Sequence, residues 1–207
     1  METEEGYSYA ALQFSFLLAV VFLGQTFLDL KLGFNPSQSP AWKFLASFLA
    51  HSGPEHLLNN LFFIALFGSI YELHTSSKEF YKAFLLSALF ANLSAFLFYP
   101  ESIIIGASGG AMGVLAALTV YRPNQVGLVL GVPAPMYMVL IAYILINFVG
   151  LSASTGVAYE AHLMGIIAGS LLGYRQREKA LLQKEDSDQE EKDWEQKIRE
   201  WEEKYMK

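Results

Sequence analysis

The sequence contains no cysteine. Disulfide bonds, thiolate catalysis and cysteine-based metal sites are therefore excluded, and we expect no metal ion and no other cofactor. Charged residues are also scarce in the first 174 positions, because nine of the 14 Lys and Arg residues and eleven of the 20 Asp and Glu residues lie in residues 175–207. The net charge of −6 describes mainly the tail and the termini, so it indicates no nucleic-acid partner.

Apolar residues, in contrast, make up 53% of the chain. Several runs approach the roughly 20 residues that cross the hydrocarbon core of a bilayer. The sequence predicts an all-α membrane protein, in which six transmembrane helices form a bundle with short re-entrant loops. Residues 126–132 are apolar but too few to cross, so we expect a loop or a re-entrant piece there. The six predicted spans are residues 9–30, 54–73, 80–98, 108–121, 136–151 and 159–174.

Three regions follow from this pattern. They are a cytoplasmic N-terminus at 1–8, a membrane domain at 9–174 and a charged cytoplasmic tail at 175–207. The first span follows an acidic lead and has no small-residue cleavage site, which indicates a retained helix and not a signal peptide. Apolar residues at helical spacing in the tail predict a helix. We favour a helix that is solvated or weakly self-associating over one that lies on the membrane surface. These apolar residues are Trp194, Ile198, Trp201 and Tyr205.

Six spans place both termini on one side of the membrane. If that side is the cytoplasm, the inner segments contain three isolated basic residues and the basic cluster at 175–179, whereas the outer segments contain only two. Cytoplasmic loops are enriched in Lys and Arg. The sequence therefore predicts a cell-membrane protein with both termini in the cytoplasm. The inner residues are Lys78, Lys82 and Arg122, and the outer ones are Lys31 and Lys43.

This orientation brings polar side chains of three helices to the outer end of the bundle. The second span begins with His56 and Asn60, the fourth with Ser108 and the sixth with His162. The fourth span has about 14 residues, roughly 21 Å of helix against a core of about 30 Å, so we expect Ser108 on the order of 10 Å below the outer surface. Polar and ionisable groups inside membrane spans are costly and indicate function.

Ser108 has two interpretations. It lies among the small residues of 106–113, which are typical of helix packing in membranes, but a serine beside a histidine in a wet pocket is also a nucleophile with its base. His162 and His56 are the candidate bases. With no Asp in a span, and with Glu160 expected to face the loop, the chemistry is that of a Ser–His dyad.

Glycine spacing favours His162 as the partner of Ser108. Glycines at i, i+4 and i+8 after His162 form a ridge that lets the sixth helix approach the fourth. His56 and Asn60, one turn apart, suit an oxyanion site beside the Ser108 backbone N–H. The glycines that support this contact are Gly106, Gly109 and Gly113 on the fourth helix, and Gly165, Gly169 and Gly173 on the sixth.

Together these residues resemble the rhomboid family of intramembrane serine proteases, over residues 42–174. The resemblance implies cleavage of single-pass or other transmembrane protein substrates near the outer face of the lipid bilayer. It also implies a gate formed by the fifth helix, with a cap formed by the loop before the sixth. The matching motifs are Gly106-Ala107-Ser108-Gly109, the His56 and Asn60 pair, His162 with its glycines, and Trp42-Lys43.

The resemblance also assigns roles. It implies Ser108 as nucleophile, His162 as general base and later acid, and an oxyanion site of His56, Asn60 and the Ser108 N–H. Glu72 matches a family glutamate that braces the inner end of the second helix. The chain departs from the family at three places: Met112 replaces a frequent aromatic residue, Lys43 replaces an arginine, and the first outer loop at 31–41 is short.

Two alternatives stay open at this stage. One is a catalytically silent rhomboid-like protein that binds transmembrane clients, and the other is a small transporter or channel. The oligomeric state is not predicted. Structural or interfacial roles are expected for the remaining polar residues: Trp42 as an interfacial anchor, His51 as a loop residue or one with structural hydrogen bonds, His74 at the interface, and Asn92 and Asn147 in helix–helix hydrogen bonds.

Overall fold

The apolar segments form helices in the computed structural model, which describes residues 8–153 and 156–206. The predicted N-terminal segment at 1–8 lies outside the described residues, apart from Ser8. Over the described ranges the chain forms seven α-helices and one β-hairpin. They are α1 Ala10–Leu28, α2 Trp42–Ala46 with a 3₁₀ turn at Ser47–Leu49, α3 Pro54–His74, α4 Ser77–Phe98, α5 Ser108–Tyr121, β1 Val126–Val129, β2 Val132–Pro135, α6 Met136–Gly150 and α7 Tyr159–Tyr205.

Three of these helices are long and apolar enough to cross a membrane by length and composition, namely α1, α3 and α4. Helices α5 and α6 are shorter apolar helices. Helix α3 contains a π-helical segment at Ile64–Gly68. Helix α7 begins at the sixth predicted span and continues through the charged tail for 47 residues. From Leu181 onward its described side chains are exposed, including the four residues of the apolar stripe.

Helix α5 lies at the centre of the bundle. Every residue from Gly109 to Thr119 is buried, because α4 covers one side of the helix and α7 covers another. A Cβ atom added at Gly110 would lie 2.6 Å from the Phe84 ring of α4. Small residues on α5 therefore set the spacing between these three helices, as expected for close packing in a membrane.

Large apolar side chains cover the outside of the bundle. Phe16 on α1, Leu97 on α4 and Phe148 on α6 are all exposed. An exposed apolar surface of this extent suits contact with lipid chains, and soluble proteins rarely carry one. Several polar residues of the spans are instead buried between the helices, among them Asn60, Asn92 and Asn147.

The segment after α5 differs from the prediction. Residues 126–132 were expected to form a loop or a re-entrant piece, but β1 and β2 form an antiparallel hairpin with Val129 paired to Val132. Leu130 and Gly131 both have positive φ, 50° and 82°, as a tight two-residue turn requires. Pro133 and Pro135 do not disrupt the hairpin, because pairs in such a ladder alternate and both prolines fall at pairs that exchange no hydrogen bonds.

Glu72 attaches the first helix to the rest of the bundle. Its buried carboxylate accepts hydrogen bonds from the N–H groups of Ala10 at 2.9 Å and Ala11 at 3.1 Å. It also accepts one from the Ser77 hydroxyl at 2.7 Å. The first N–H groups of a helix lack intrahelical partners and attract negative charge. Glu72 therefore joins α1, α3 and α4 at one end of the bundle.

Candidate functional site

Ser108 is the first residue of α5 and follows an extended segment held from two sides. The N–H of Gly106 donates to the Ser47 carbonyl at 3.0 Å, and Ile104 pairs with Phe34 of the first loop through two backbone hydrogen bonds. Gly106 has φ of +120°, a conformation that favours glycine. A Cβ there would also lie 2.8 Å from the His56 ring. This glycine therefore lets the chain turn into α5 beside His56.

His162 reaches Ser108 because α7 approaches α5 very closely. Added Cβ atoms at Gly165 and Gly169 would collide with the backbone carbonyl groups of Gly109 and Gly113. The two helix backbones are thus in direct contact one turn beyond the site. His162 Nε2 and Ser108 Oγ are 2.7 Å apart, which is hydrogen-bond distance for a nucleophile and its base.

The other ring nitrogen of His162 meets Asn147, which was expected to make a helix–helix hydrogen bond and does so here with the base itself. Nδ1 lies 2.7 Å from Oδ1 of Asn147 on α6. Asn147 is only 3% exposed, and its Nδ2 donates to the Tyr143 carbonyl at 2.7 Å. The sequence did carry a signal for this contact, since Asn147 is the only amide in α6 and lies near the helix end that faces His162.

His56 presents a donor toward the same site. Its Nδ1 lies 3.4 Å from the Ser52 backbone N–H, which can only donate, and 3.0 Å from the Ser52 hydroxyl. Because Nδ1 accepts, a neutral His56 carries its proton on Nε2. A Cβ atom added at Gly106 would lie 2.8 Å from this Nε2 and 3.7 Å from Ser108 Oγ. The His56 Nε2 and the serine hydroxyl therefore both lie close to Gly106.

Asn60 is buried one turn below His56, but its amide Nδ2 donates to the His56 carbonyl at 2.9 Å. Its hydrogen bond is therefore made within α3 and is not directed at Ser108. The oxyanion role of Asn60 stays a prediction.

Two further residues were expected to lie outside the catalytic pair. Glu160 was expected to face the loop, and its carboxylate accepts a hydrogen bond from Oη of Tyr99, the first residue after α4. His51 was expected to be a loop residue or to make structural hydrogen bonds; it lies in a loop, where its N–H donates to Gln25 Oε1 at 3.0 Å, but neither ring nitrogen has a partner among the described residues. The His51 ring instead packs against the His56 ring, with centroids 5.2 Å apart.

Asn92 makes the helix–helix hydrogen bond that was expected of it. Its Nδ2 donates to the carbonyl of Phe44 on α2 at 2.6 Å and lies 2.8 Å from Ser47 Oγ. Asn92 therefore ties α4 to the segment around Ser47, whose carbonyl holds Gly106.

The remaining sequence-predicted residues lie outside this hydrogen-bonded set. Trp42 is exposed, with Lys43 Nζ 5.8 Å from the centre of its ring. Met112 is buried in the core around α5. His74 lies at the opposite end of α3 and pairs with Gln125 at 3.1 Å.

A small cavity of about 20 Å³ lies beside Ser108. This is enough space for about one water molecule. The cavity is enclosed by residues of α4, the segment before α5 and the start of α7, including Asn92, Gly106, Gly109 and Ala161.

The fold and the site together define a multi-pass membrane protein in which a serine and a histidine from two closely packed helices form a half-buried, hydrogen-bonded pair. The chain belongs to the rhomboid family: the model of the Rhomboid domain matches residues 38–179. The resemblance found in the sequence motifs is thereby confirmed.

Several curated proteins are similar to this chain. Rhomboid-like protein 11, chloroplastic, of Arabidopsis thaliana is 33% identical over 37% of this chain and 28% of its own length. A Bacillus subtilis protein, YdcA, named as a candidate rhomboid protease, is 27% identical over 64% of this chain and 66% of its own length. Rhomboid-related protein 2 of Mus musculus is 27% identical over 65% and 47%. The chain thus spans between about a quarter and two thirds of these relatives.

Proposed function

We propose that the protein is an intramembrane serine endopeptidase that hydrolyses peptide bonds of transmembrane proteins. The observation that carries this proposal is the 2.7 Å contact between Ser108 Oγ and His162 Nε2, at a helix end close to the His56 ring. Family membership and the candidate protease among the relatives support it. The alternative of a silent client-binding protein gains no comparable support, because the serine and the histidine are both retained and in contact.

The proposed reaction begins with attack of Ser108 Oγ on the substrate carbonyl carbon. His162 Nε2 takes the hydroxyl proton as the new C–O bond forms. The oxygen that becomes negative accepts hydrogen bonds from His56 Nε2–H and from the N–H of Ser108, one of the first N–H groups of α5 that lack intrahelical partners. His162 then gives its proton to the leaving amine, and the peptide bond breaks.

Hydrolysis of the acyl-serine completes the cycle. A water molecule attacks the ester carbonyl, and His162 accepts its proton and returns one to Ser108 Oγ as the carboxylic acid leaves. The cavity beside Ser108 has room for about one such water. Since the acyl group, the proton and the water all balance within these steps, no cofactor is required.

The proposal includes the arrangement in the membrane. Helices α5, α6 and the first part of α7 join the three longer helices as spans, which gives six spans with both termini in the cytoplasm. The substrate helix then reaches Ser108 from the outer side past α6, and the loop before α7, of which residues 154–155 lie outside the described part of the chain, covers the site.

The decisive experiment compares the wild type with Ser108→Ala and His162→Ala, using a transmembrane substrate that has small residues near its outer end. We expect cleavage to be lost in both variants, by at least about 10³-fold, because each removes one half of the nucleophile and base pair. A fluorophosphonate probe should label the wild type at Ser108. A variant that cleaves as fast as the wild type would refute the proposal, and a wild type that neither cleaves nor labels would favour the silent alternative.

The absence of cysteine makes the orientation directly testable. Gln38→Cys in the first loop is expected to react with a membrane-impermeant maleimide in intact cells, whereas Ser187→Cys in α7 is expected to react only after permeabilisation. Both positions are exposed in the fold. The opposite labelling pattern would overturn the proposed orientation.

A further inference from the structure

The hydrogen bonds around Asn147 have a defined direction. A backbone carbonyl can only accept, so the 2.7 Å contact with the Tyr143 carbonyl fixes the amide nitrogen of Asn147 on that side. The amide oxygen therefore faces His162 Nδ1, at 2.7 Å. This oxygen also can only accept, so Nδ1 must carry the proton. A neutral imidazole then has its free lone pair on Nε2.

That lone pair lies where a general base needs it. Nε2 is 2.7 Å from Ser108 Oγ and can accept the hydroxyl proton only if it is itself unprotonated. The hydrogen bonds thus run in one direction, from the Ser108 hydroxyl through the His162 ring to the Asn147 amide, and on to the Tyr143 carbonyl.

Asn147 is suited to this role by its surroundings. A buried amide in an apolar helix is costly unless it is hydrogen-bonded, and Asn147 uses both ends of its amide. Among the described residues, no carboxylate is hydrogen-bonded to His162, and the nearby Glu160 bonds to Tyr99. Met112, buried on α5, offers only a weak sulfur acceptor.

We propose that Asn147 is a positioning residue that holds His162 in its general-base tautomer and orients its ring toward Ser108. This inference rests on the proposed protease function and replaces a simple dyad by a chain of Ser108, His162 and Asn147. Asn147 lies on α6, whereas Ser108 and His162 lie on α5 and α7. The orientation of the base therefore depends on how α6 is seated.

The test uses two substitutions at Asn147 of similar size. Asn147→Leu removes the acceptor, and we expect kcat to fall roughly 10- to 100-fold with KM within about twofold, because only the protonation and orientation of the base change. Asn147→Asp keeps an acceptor oxygen and is expected to retain more of kcat than the Leu variant. Equal loss in both variants, or wild-type kcat in Asn147→Leu, would overturn the proposal.

Thr119→Val serves as the matched structural control. Thr119 is buried on α5, and its hydroxyl donates to the Leu115 carbonyl at 2.8 Å and lies 3.4 Å from the Met136 carbonyl at the start of α6. The variant removes a buried hydrogen bond near α6 without touching His162. It is expected to lower the unfolding temperature while kcat stays within about twofold. A loss of kcat here as large as in Asn147→Leu would reduce the Asn147 effect to a structural one and overturn the proposal.

A second measurement reports the tautomer without any substrate. The ¹⁵N spectrum of the imidazole of His162, assigned with His162→Gln, is expected to show a proton on Nδ1 in the wild type and a changed tautomer population in Asn147→Leu. A proton on Nε2 in the wild type, or an unchanged spectrum in the variant, would overturn the proposal. If the wild type cleaves nothing, the protease function fails on that result, and the spectrum alone decides on Asn147.

Discussion

Helices α7 and α6 both contact α5, but they do so in different ways. The interface of α7 with α5 is built from glycines whose backbones touch the carbonyl groups of the facing helix. Helix α6, in contrast, has only four buried residues out of its 15, namely Met136, Val139, Asn147 and Gly150. Most of its remaining large side chains are exposed. One interface is a direct backbone contact, and the other is a small set of side-chain contacts.

The difference means that one site combines a rigid pair of helices, α5 and α7, with a more mobile helix, α6. Backbone contact fixes the distance between the helices that carry Ser108 and His162, since a packed interior cannot deform continuously. The few buried residues of α6 let it move more readily against α5 than α7 can, because sparse packing accompanies local opening. In the proposed enzyme, α5 and α7 therefore keep the reacting groups in place while α6 admits the substrate.

The largest effect is expected from a methyl group added at the first interface. In Gly165→Ala, the new Cβ collides with the carbonyl group of Gly109. Since a backbone cannot rotate away, we expect a loss of roughly 3 kcal/mol or more in stability, despite the better helix propensity of alanine. Unfolding in detergent, followed by circular dichroism, measures the change.

Gly150→Ala provides the comparison on α6, at its contact with α7. Its Cβ would meet the ring of Tyr159 on α7, which is a side chain and can shift, and not a backbone carbonyl group. We expect a loss of about 1 kcal/mol or less in the same assay. If Gly165→Ala and Gly150→Ala are equally stable, the proposed difference between a rigid backbone contact and an adaptable side-chain contact is wrong.

Much of the fold could be predicted from sequence because apolar periodicity and helix breakers are local signals. The fourth predicted span has the same limits as α5, since Ser108 begins it and Arg122-Pro123 ends it. The hairpin at 126–135 could not be predicted in this way. Its signal is a turn at Leu130 and Gly131 with prolines at alternate positions, and prolines ordinarily argue against strands.

The candidate site was predicted unevenly for a physical reason. The sequence singles out Ser108 and His162 through the glycines around them, and the structure brings the two side chains together. For Asn147 the sequence carries only the weaker signal of a single amide in α6, because an asparagine in an apolar helix can form its hydrogen bond with any neighbouring helix. The ring nitrogens of His51 have no partner among the described residues, and Glu160 bonds to Tyr99. Both are likewise consequences of tertiary packing, which residue spacing does not encode.

A smaller effect, on catalysis and not on stability, is expected where α6 meets α3. The rings of Phe63 and Tyr143 pack edge to face with centroids 5.0 Å apart. Such a pair is worth about 1 kcal/mol. Phe63→Ala removes this ring pair. If substrates enter past α6, the population of the state in which α6 has moved away from α3 then rises about fivefold. We expect kcat/KM for a transmembrane substrate to rise by up to that factor, while kcat stays unchanged because the substitution affects substrate entry and alters none of Ser108, His162 and Asn147.

Phe90→Ala is the control, since Phe90 is an exposed phenylalanine of α4 and is expected to leave both constants unchanged. The interpretation depends on whether kcat and kcat/KM change together or separately. A fall in kcat/KM and kcat together would mean that α6 must stay seated throughout the reaction, so that the contrast between a fixed and a movable interface is wrong. A rise confined to kcat/KM would instead mean that α6 limits entry alone, and that its loose packing serves the binding of substrate.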